Sequence, residues 1–211
     1  MESGELEIKD FEERMLQPAS YDMRVGKTLL VSGQEQEIDL EKHGSVVIKA
    51  GQFALVTTHE NVKLSNSVVG HIGLKSYYVR KGVVVLAGLQ IDPGFNGVLV
   101  LGIYNASPRG ISIDYMSPIC TVEFHKLAKP VNVPFNRADV DEQQRGHIPK
   151  ADRDYLKTLE TQSLSEMSES VRYLSENVAT LTKTVNKVII PIIIGIFVTV
   201  IAAGFGFLKL P

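Results

Sequence analysis

One aspartate lies on a predicted turn, where its carboxylate could act as a catalytic base. Asp92 is followed by Pro93 and Gly94, between two stretches rich in branched apolar residues. Proline at the second turn position and glycine with a positive φ are typical of a tight turn. A carboxylate held rigidly on such a turn can also accept a proton from water. Asp92 is therefore a candidate catalytic residue, although the turn alone would account for the three residues.

A second candidate segment is basic. Lys75, Ser76, Arg80 and Lys81 lie within one short stretch. Their ammonium, hydroxyl and guanidinium groups could bind phosphate oxygens. Taken alone, the same residues would form an ordinary solvated basic turn.

Composition excludes several classes of function. The chain has 22 Lys and Arg against 24 Asp and Glu, which argues against a nucleic-acid partner. Its five histidines are scattered and its single cysteine, Cys120, cannot form an intrachain disulfide. The His-x-Glu and Pro-Cys-x-x-Cys signature of zinc deaminases is missing from the sequence, so no metal-ligating residues are assigned.

Four segments, in order, resemble the dCTP deaminase/dUTPase family and are more similar to its deaminase branch. They are residues 17–26, 75–82, 91–97 and 116–120. The resemblance implies a dUTPase-like distorted β jelly-roll that assembles as a homotrimer. It also implies a deoxynucleoside triphosphate as the partner, bound at the interfaces between subunits.

The resemblance implies specific roles for these segments. The matching aspartate, Asp92, lies beside the deoxyribose and in dUTPases orients the water that attacks the α-phosphate. A Mg²⁺ ion would be held mainly by the phosphates. The residues implied to bind the nucleotide are Lys75, Ser76, Arg80, Asp92, Phe95 and Gln144.

Three departures from the family pattern bear on catalysis. Lys75 replaces an arginine and so loses its planar bidentate fork, and Tyr77 replaces a small serine. Gly102 stands where the deaminases place the glutamate that activates water against the base. Loss of a positioned general base costs roughly 10²–10⁴-fold in rate. Two acids, Asp141 and Glu142, also precede Gln144, where they would repel a polyphosphate.

The C-terminal part predicts two helical segments. Residues 188–208 carry no charge, and as a helix they would span about 30 Å, the thickness of a bilayer core. Lys183 and Lys187 precede this span and the acidic N-terminus lacks a secretory signal, which predicts a single-pass C-terminal anchor with the N-terminal domain in the cytoplasm. Upstream, apolar residues alternate at spacings of three and four, which predicts a coiled coil of two or three strands. They are Leu164, Met167, Val171, Leu174, Val178, Leu181, Val185 and Val188.

The predicted fold is therefore mainly β, followed by a long coiled-coil helix and one transmembrane helix. The expected divisions are a dCTP deaminase/dUTPase-like β domain at 1–150, a coiled-coil helix at 151–187 and a transmembrane helix at 188–208. Three functions remain open: hydrolysis of dUTP or a related deoxynucleotide to the monophosphate and pyrophosphate, nucleotide sensing without catalysis, and a trimeric scaffold that signals to the membrane helix.

Overall fold

The computed structural model describes residues 4–86, 88–133, 135, 140–158, 164–196 and 198. The strands are β1 Leu6–Lys9, β2 Tyr21–Val31, β3 Ile38–Asp39, β4 Ser45–Ile48, β5 Phe53–Leu64, β6 Val68–Leu74, β7 Val83–Val85, β8 Gln90–Ile91, β9 Asn96–Asn105, β10 Ile111–Asp114 and β11 Pro118–Lys126. The helices are α1 Leu40–His43, α2 Ser76–Val79, α3 Val140–Gln144, α4 Lys150–Thr158 and α5 Leu164–Thr184.

The N-terminal part is mainly β, as predicted. Its larger sheet is antiparallel and curled, with the strand order β7-β9-β5-β2-β11-β6-β8, and β1 and β3 pair with β5 and β2. A two-stranded sheet joins β10 to β4. The alternating apolar side chains of β2, β5, β9 and β11 meet in one core that includes Met23, Val56, Leu101 and Val122. This core fixes the hairpins and turns that carry the candidate residues.

A second, smaller core attaches the segment after the barrel. Ile148 and Leu156 are fully buried against Leu30 and Leu55. Helix α4 therefore packs on the outer face of the β domain. The compact unit runs from Met1 to Ser165 and includes α4, which Leu156 holds against the sheet. The predicted division at residue 150 stays a prediction.

The second unit, Glu166–Pro211, is helical where it is described. Helix α5 is followed by a π-helical turn at Val185–Ile189, and helical backbone continues to Ile196. Within the described residues, Glu169–Ile196 is the one helix whose length and composition make it a candidate membrane span. More than half of the predicted span at 188–208, and residues 159–163 of the predicted coiled-coil helix, lie outside the described residues.

Candidate functional site

The Asp92 turn joins β8 to β9. The Asp92 carbonyl accepts a hydrogen bond from the Phe95 amide at 3.1 Å, and Gly94 has a φ of 88°. The conformational role of Asp-Pro-Gly is therefore confirmed. The Gln90 side chain donates to Asp92 Oδ1 at 2.7 Å, which orients the carboxylate. The catalytic role of Asp92 remains a prediction.

Asp92 lines two neighbouring cavities of about 280 and 490 Å³. Gln90 and Phe135 also contribute to both cavities. The described residues around the smaller cavity supply apolar side chains, two amides and one carboxylate, but no lysine or arginine. Such a lining suits an uncharged base and sugar, since apolar walls with a few placed polar groups are typical of small-molecule sites. Cations for a polyphosphate must come from elsewhere.

Two other residues predicted to bind the nucleotide, Phe95 and Gln144, differ in whether they line the cavity. Phe95 is buried and lines the smaller cavity, with its ring centroid 5.8 Å from that of Phe135. Gln144 is exposed on α3, whereas its neighbour Gln143 lines the cavity and packs over Gly97. The amide at the cavity wall is therefore Gln143, one residue before the predicted one.

The basic segment lies at the start of α2. Lys75 Nζ contacts Asp22 Oδ2 at 2.6 Å, while Ser76 and Arg80 are exposed. Tyr78 is buried, and its hydroxyl lies 3.3 Å from Ser117 Oγ, which fixes the helix against the sheet. This anchoring leaves Ser76 and Arg80 directed to the surface, where a ligand or another chain can reach them.

The bulky replacement at position 77 is exposed. The Tyr77 side chain stands out from α2, and the Lys81 ammonium lies 3.8 Å from its ring centroid. A cation over an aromatic face is attracted by the electrons of the ring. Tyr77 thus restrains Lys81.

Strand register separates the basic segment from Asp92 within one chain. Ile91 pairs with Gly70, so Asp92 stands opposite Val69, six residues before Lys75. At about 3.3 Å per strand residue, the two positions are about 20 Å apart. A single chain therefore does not bring Lys75, Ser76 and Arg80 to the Asp92 cavities.

The position of the missing general base is filled. Gly102 pairs with Leu55 on β5, and its carbonyl accepts a hydrogen bond from the Leu86 amide at 2.8 Å. A Cβ atom added to Gly102 would lie 2.9 Å from Phe53 Cζ and 3.2 Å from the Leu86 carbonyl oxygen. Phe53 in turn packs on the small core that holds α4. The place that a glutamate side chain would enter is therefore occupied by an aromatic ring.

Glu142, one of the two acids predicted to repel a polyphosphate, has partners within the chain. Glu142 Oε1 contacts Arg153 Nη2 at 3.1 Å, and Glu142 Oε2 accepts a hydrogen bond from the Lys150 amide. Arg153 also contacts Glu37 Oε1 at 3.3 Å, so it offsets only part of the charge of Glu142, and the expected repulsion of a polyphosphate is reduced but not removed. The side chain of Asp141 is outside the described part of the structure.

Within the described residues, no group of three or more His, Cys, Asp or Glu side chains could hold a metal ion. Cys120 is fully buried, and burial, with the charges of Glu60 and Asp22, raises the pKa of its thiol far above the ordinary value. The thiol is therefore protonated and inert, which fits the role of a small core residue.

Sequence reasoning missed Gln143, Phe53 and Asp22. Asp22 belongs to the first family-like segment, yet nothing in the sequence links it to Lys75, 53 residues away. Phe53 begins the run Phe53–Thr58, whose apolar and β-branched residues predict a strand but no role at the site. Its period-two alternation with Leu55 could have placed it on the same sheet face as Leu55, but not above Gly102.

The chain is similar in sequence to proteins of one known family. A family model described as dCTP deaminase-like matches residues 1–127. The dCTP deaminase of Pyrococcus horikoshii is 39% identical over 132 residues, which cover 63% of this chain and 83% of that protein. The dCTP deaminase of Pyrococcus abyssi is 37% identical over 131 residues, covering 62% and 83%. A crystal structure of 2'-deoxycytidine 5'-triphosphate deaminase from Agrobacterium tumefaciens aligns with a TM-score of 0.49 and 21% identity, over 59% of this chain and 45% of that one. Because the family model matches more than half of its residues, the chain belongs to the dCTP deaminase-like family.

Proposed function

We propose that this chain is a membrane-anchored, deoxynucleotide-binding member of its family that does not deaminate dCTP. One observation carries the proposal: the Asp92 cavities are open while the position of the deaminase base, Gly102, is occupied by Phe53. The apolar walls and the amides of Gln90 and Gln143 suit a base and sugar. Relatives named dCTP deaminase support a pyrimidine deoxynucleoside triphosphate as the ligand class.

Deamination requires a group that removes a proton from the attacking water. Gly102 has no side chain, and Asp114 and Glu123, two acids that follow it in the sequence, lie on other strands. Asp114 is exposed on β10 and Glu123 is exposed on β11. Without a positioned base the rate falls by roughly 10²–10⁴-fold. Binding and deamination are therefore separable in this chain.

The proposed nucleotide site lies between copies of the chain. The separation of about 20 Å along the register supports a site in which the cations of the Lys75–Arg80 segment come from a second copy. A row of large apolar side chains is exposed beside these cations and along the edge strand β7, where burial by a second copy is favourable. They are Tyr77, Val79, Val84, Leu86 and Leu89. A homotrimer would complete three such sites.

We expect the C-terminal helix to contact the helices of other copies through α5 and the bilayer beyond Lys187. The seam residues of α5 from Val171 to Leu181 are all more than 60% exposed, as expected for a helix that packs only against partner helices. Beyond Lys187 the described side chains are apolar on every side, which suits contact with lipid. We place the β domain in the cytoplasm, since Lys183 and Lys187 precede the span.

A second candidate function is hydrolysis of dUTP or a related deoxynucleotide. The observation that favours it is the Asp92 carboxylate, oriented by Gln90 at the cavity wall. Asp92 would take a proton from a water that attacks the α-phosphate. The bond from the α-phosphorus to the bridging oxygen would break, and pyrophosphate would leave with a Mg²⁺ ion held mainly by the phosphates. If nothing is turned over, the trimer is a nucleotide sensor or a scaffold that signals to its membrane helix.

The proposal is tested with the full-length chain in lipid nanodiscs. Calorimetric titration with dCTP, dUTP and dTTP measures binding, and chromatography of the same samples measures turnover, with CTP as the ribonucleotide control. We expect saturable binding of at least one deoxynucleotide. Saturable binding of none would contradict the proposal and favour the scaffold. Sedimentation equilibrium in density-matched detergent should report a trimer, and a monomer would remove the shared site.

A further inference from the structure

Lys75 is held by a buried acid of its own chain. Its ammonium lies 2.6 Å from Asp22 Oδ2, and the two side chains are 32% and 6% exposed. Asp22 lies on β2 opposite Thr121, inside the sheet rather than at its rim. The ion pair is therefore buried on the Asp22 side and open on the Lys75 side.

The neighbouring cation is bound to other acids. Arg24 lies two residues further along β2, on the same face as Asp22. Its guanidinium is held by Glu60 and Glu12, each at 2.6 Å. Burial alone would lower the pKa of Arg24, but the hydrogen bond and charge of Glu60 raise it, so Arg24 stays charged on these acids. Within the described residues, Lys75 is the one cation that pairs with Asp22.

Asp22 also has an unsatisfied atom. Its Oδ1 is buried and has no hydrogen-bond partner among the described residues. A buried carboxylate with one oxygen unbonded is costly, and removal of its remaining cation would leave an uncompensated charge. Lys75 therefore cannot leave Asp22 without a large penalty. A lysine ammonium has three donors, so it can keep Asp22 and still direct a proton outwards.

We propose that Asp22 is a positioning residue that holds Lys75 beside Ser76 and balances its charge. This inference rests on the proposed function, in which Lys75 faces the phosphates of a nucleotide. A charge-balanced pair attracts an anion much less than a lone ammonium does. Lys75 therefore contributes little to discrimination between ligands with different numbers of phosphates. The departure from arginine at this position reinforces the effect, because lysine lacks the bidentate fork.

Replacing Asp22 with asparagine tests the charge of the side chain while keeping its size. In Asp22→Asn the amide keeps the size of the side chain, but the ammonium is no longer neutralised. We expect dUTP to bind about tenfold more tightly, with a smaller gain for dUMP and none for deoxyuridine. The affinity for dUTP should also fall more steeply with salt than in the wild type. An equal change for all three ligands, or no change for dUTP, would overturn the inference.

A stability cycle tests the pair without any ligand. Lys75→Met leaves Asp22 buried and unpaired, so its melting temperature should fall further than that of the double variant Asp22→Asn/Lys75→Met. Lys81→Met, on the same turn but over the Tyr77 ring, is the matched control and should add independently to Asp22→Asn. Independent effects of Asp22 and Lys75 would contradict the positioning role. If the wild type binds no nucleotide, the proposed function fails, while this cycle still decides whether Asp22 holds Lys75.

Discussion

The two ends of the segment from Asp92 to Gly102, which turns from β8 into β9, have opposite characters. At one end, Asp92 is partly exposed, polar and open to two cavities. At the other, Gly102 is buried beneath Phe53, in the apolar contact that holds α4. The two positions belong to the same β8–β9 segment, yet only the first retains the side chain that the family pattern predicts. Under the proposed function, ligand contact and deamination depend on different parts of this segment, so one can be lost while the other is kept.

The largest effect is expected from Gly102→Glu. The new Cβ would overlap the Phe53 ring and crowd the Leu86 carbonyl, and the carboxylate would enter an apolar contact without a partner. Overpacking and the buried charge together should lower the free energy of unfolding by about 4 kcal/mol or more. Thermal and urea unfolding of the full-length chain measure this loss.

Gly88→Glu is the matched control for this variant. A Cβ on Gly88 meets nothing within 4 Å, although the residue precedes the same β8–β9 segment. Its unfolding free energy should change by less than about 0.5 kcal/mol. Equal stability of the two variants would show that the Gly102 position is open, and the contrast between the two ends would disappear.

A smaller loss is expected from Leu156→Ala. Leu156 is 1% exposed and packs with Ile148 against the strand that carries Phe53. Truncation of a buried leucine leaves a cavity and should cost about 3 kcal/mol. Lys157→Ala, at the adjacent exposed position, should stay within about 0.5 kcal/mol of the wild type. A loss below about 1 kcal/mol in Leu156→Ala would mean that α4 is not held by this contact.

Gly102 and the ring above it differ in whether they could be predicted from the sequence. The absence of a general base at Gly102 is visible in the sequence, because glycine has no side chain that could accept a proton. The ring above it is not, because Phe53 reaches Gly102 only through the pairing of β5 with β9. Similarly, α4 shared the glycine-free composition of the coiled coil, and only the burial of Ile148 and Leu156 assigns it to the β domain.

Strand positions were easier to predict than side-chain partners. The branched runs Ser45–Lys49 and Ile111–Tyr115, bounded by turn residues, predict strands, and β4 and β10 form there with ends one residue earlier. Asp22 was recognised only as part of a motif. Its pairing with Lys75 depends on how β2, β6 and β11 are ordered in the sheet, which no local pattern contains.

The smallest change in stability is expected from Asp92→Asn. Asparagine keeps the turn, and its Oδ1 can still accept from Gln90, so unfolding should shift by less than about 0.5 kcal/mol. If the trimer hydrolyses a deoxynucleoside triphosphate, the variant should bind it but release no pyrophosphate, because the amide cannot take a proton. Coupled detection of pyrophosphate measures this. Unchanged release would remove Asp92 from the chemistry.

The central claim is that this chain binds a deoxynucleotide without deaminating it. The most direct measurement mixes an excess of the full-length protein in nanodiscs with isotope-labelled dCTP. The bound and free fractions are then separated, and the base in each is identified by mass spectrometry. The account predicts label in the bound fraction that remains cytosine over many hours. Conversion of the bound base to uracil on the timescale of an ordinary enzyme turnover would contradict it.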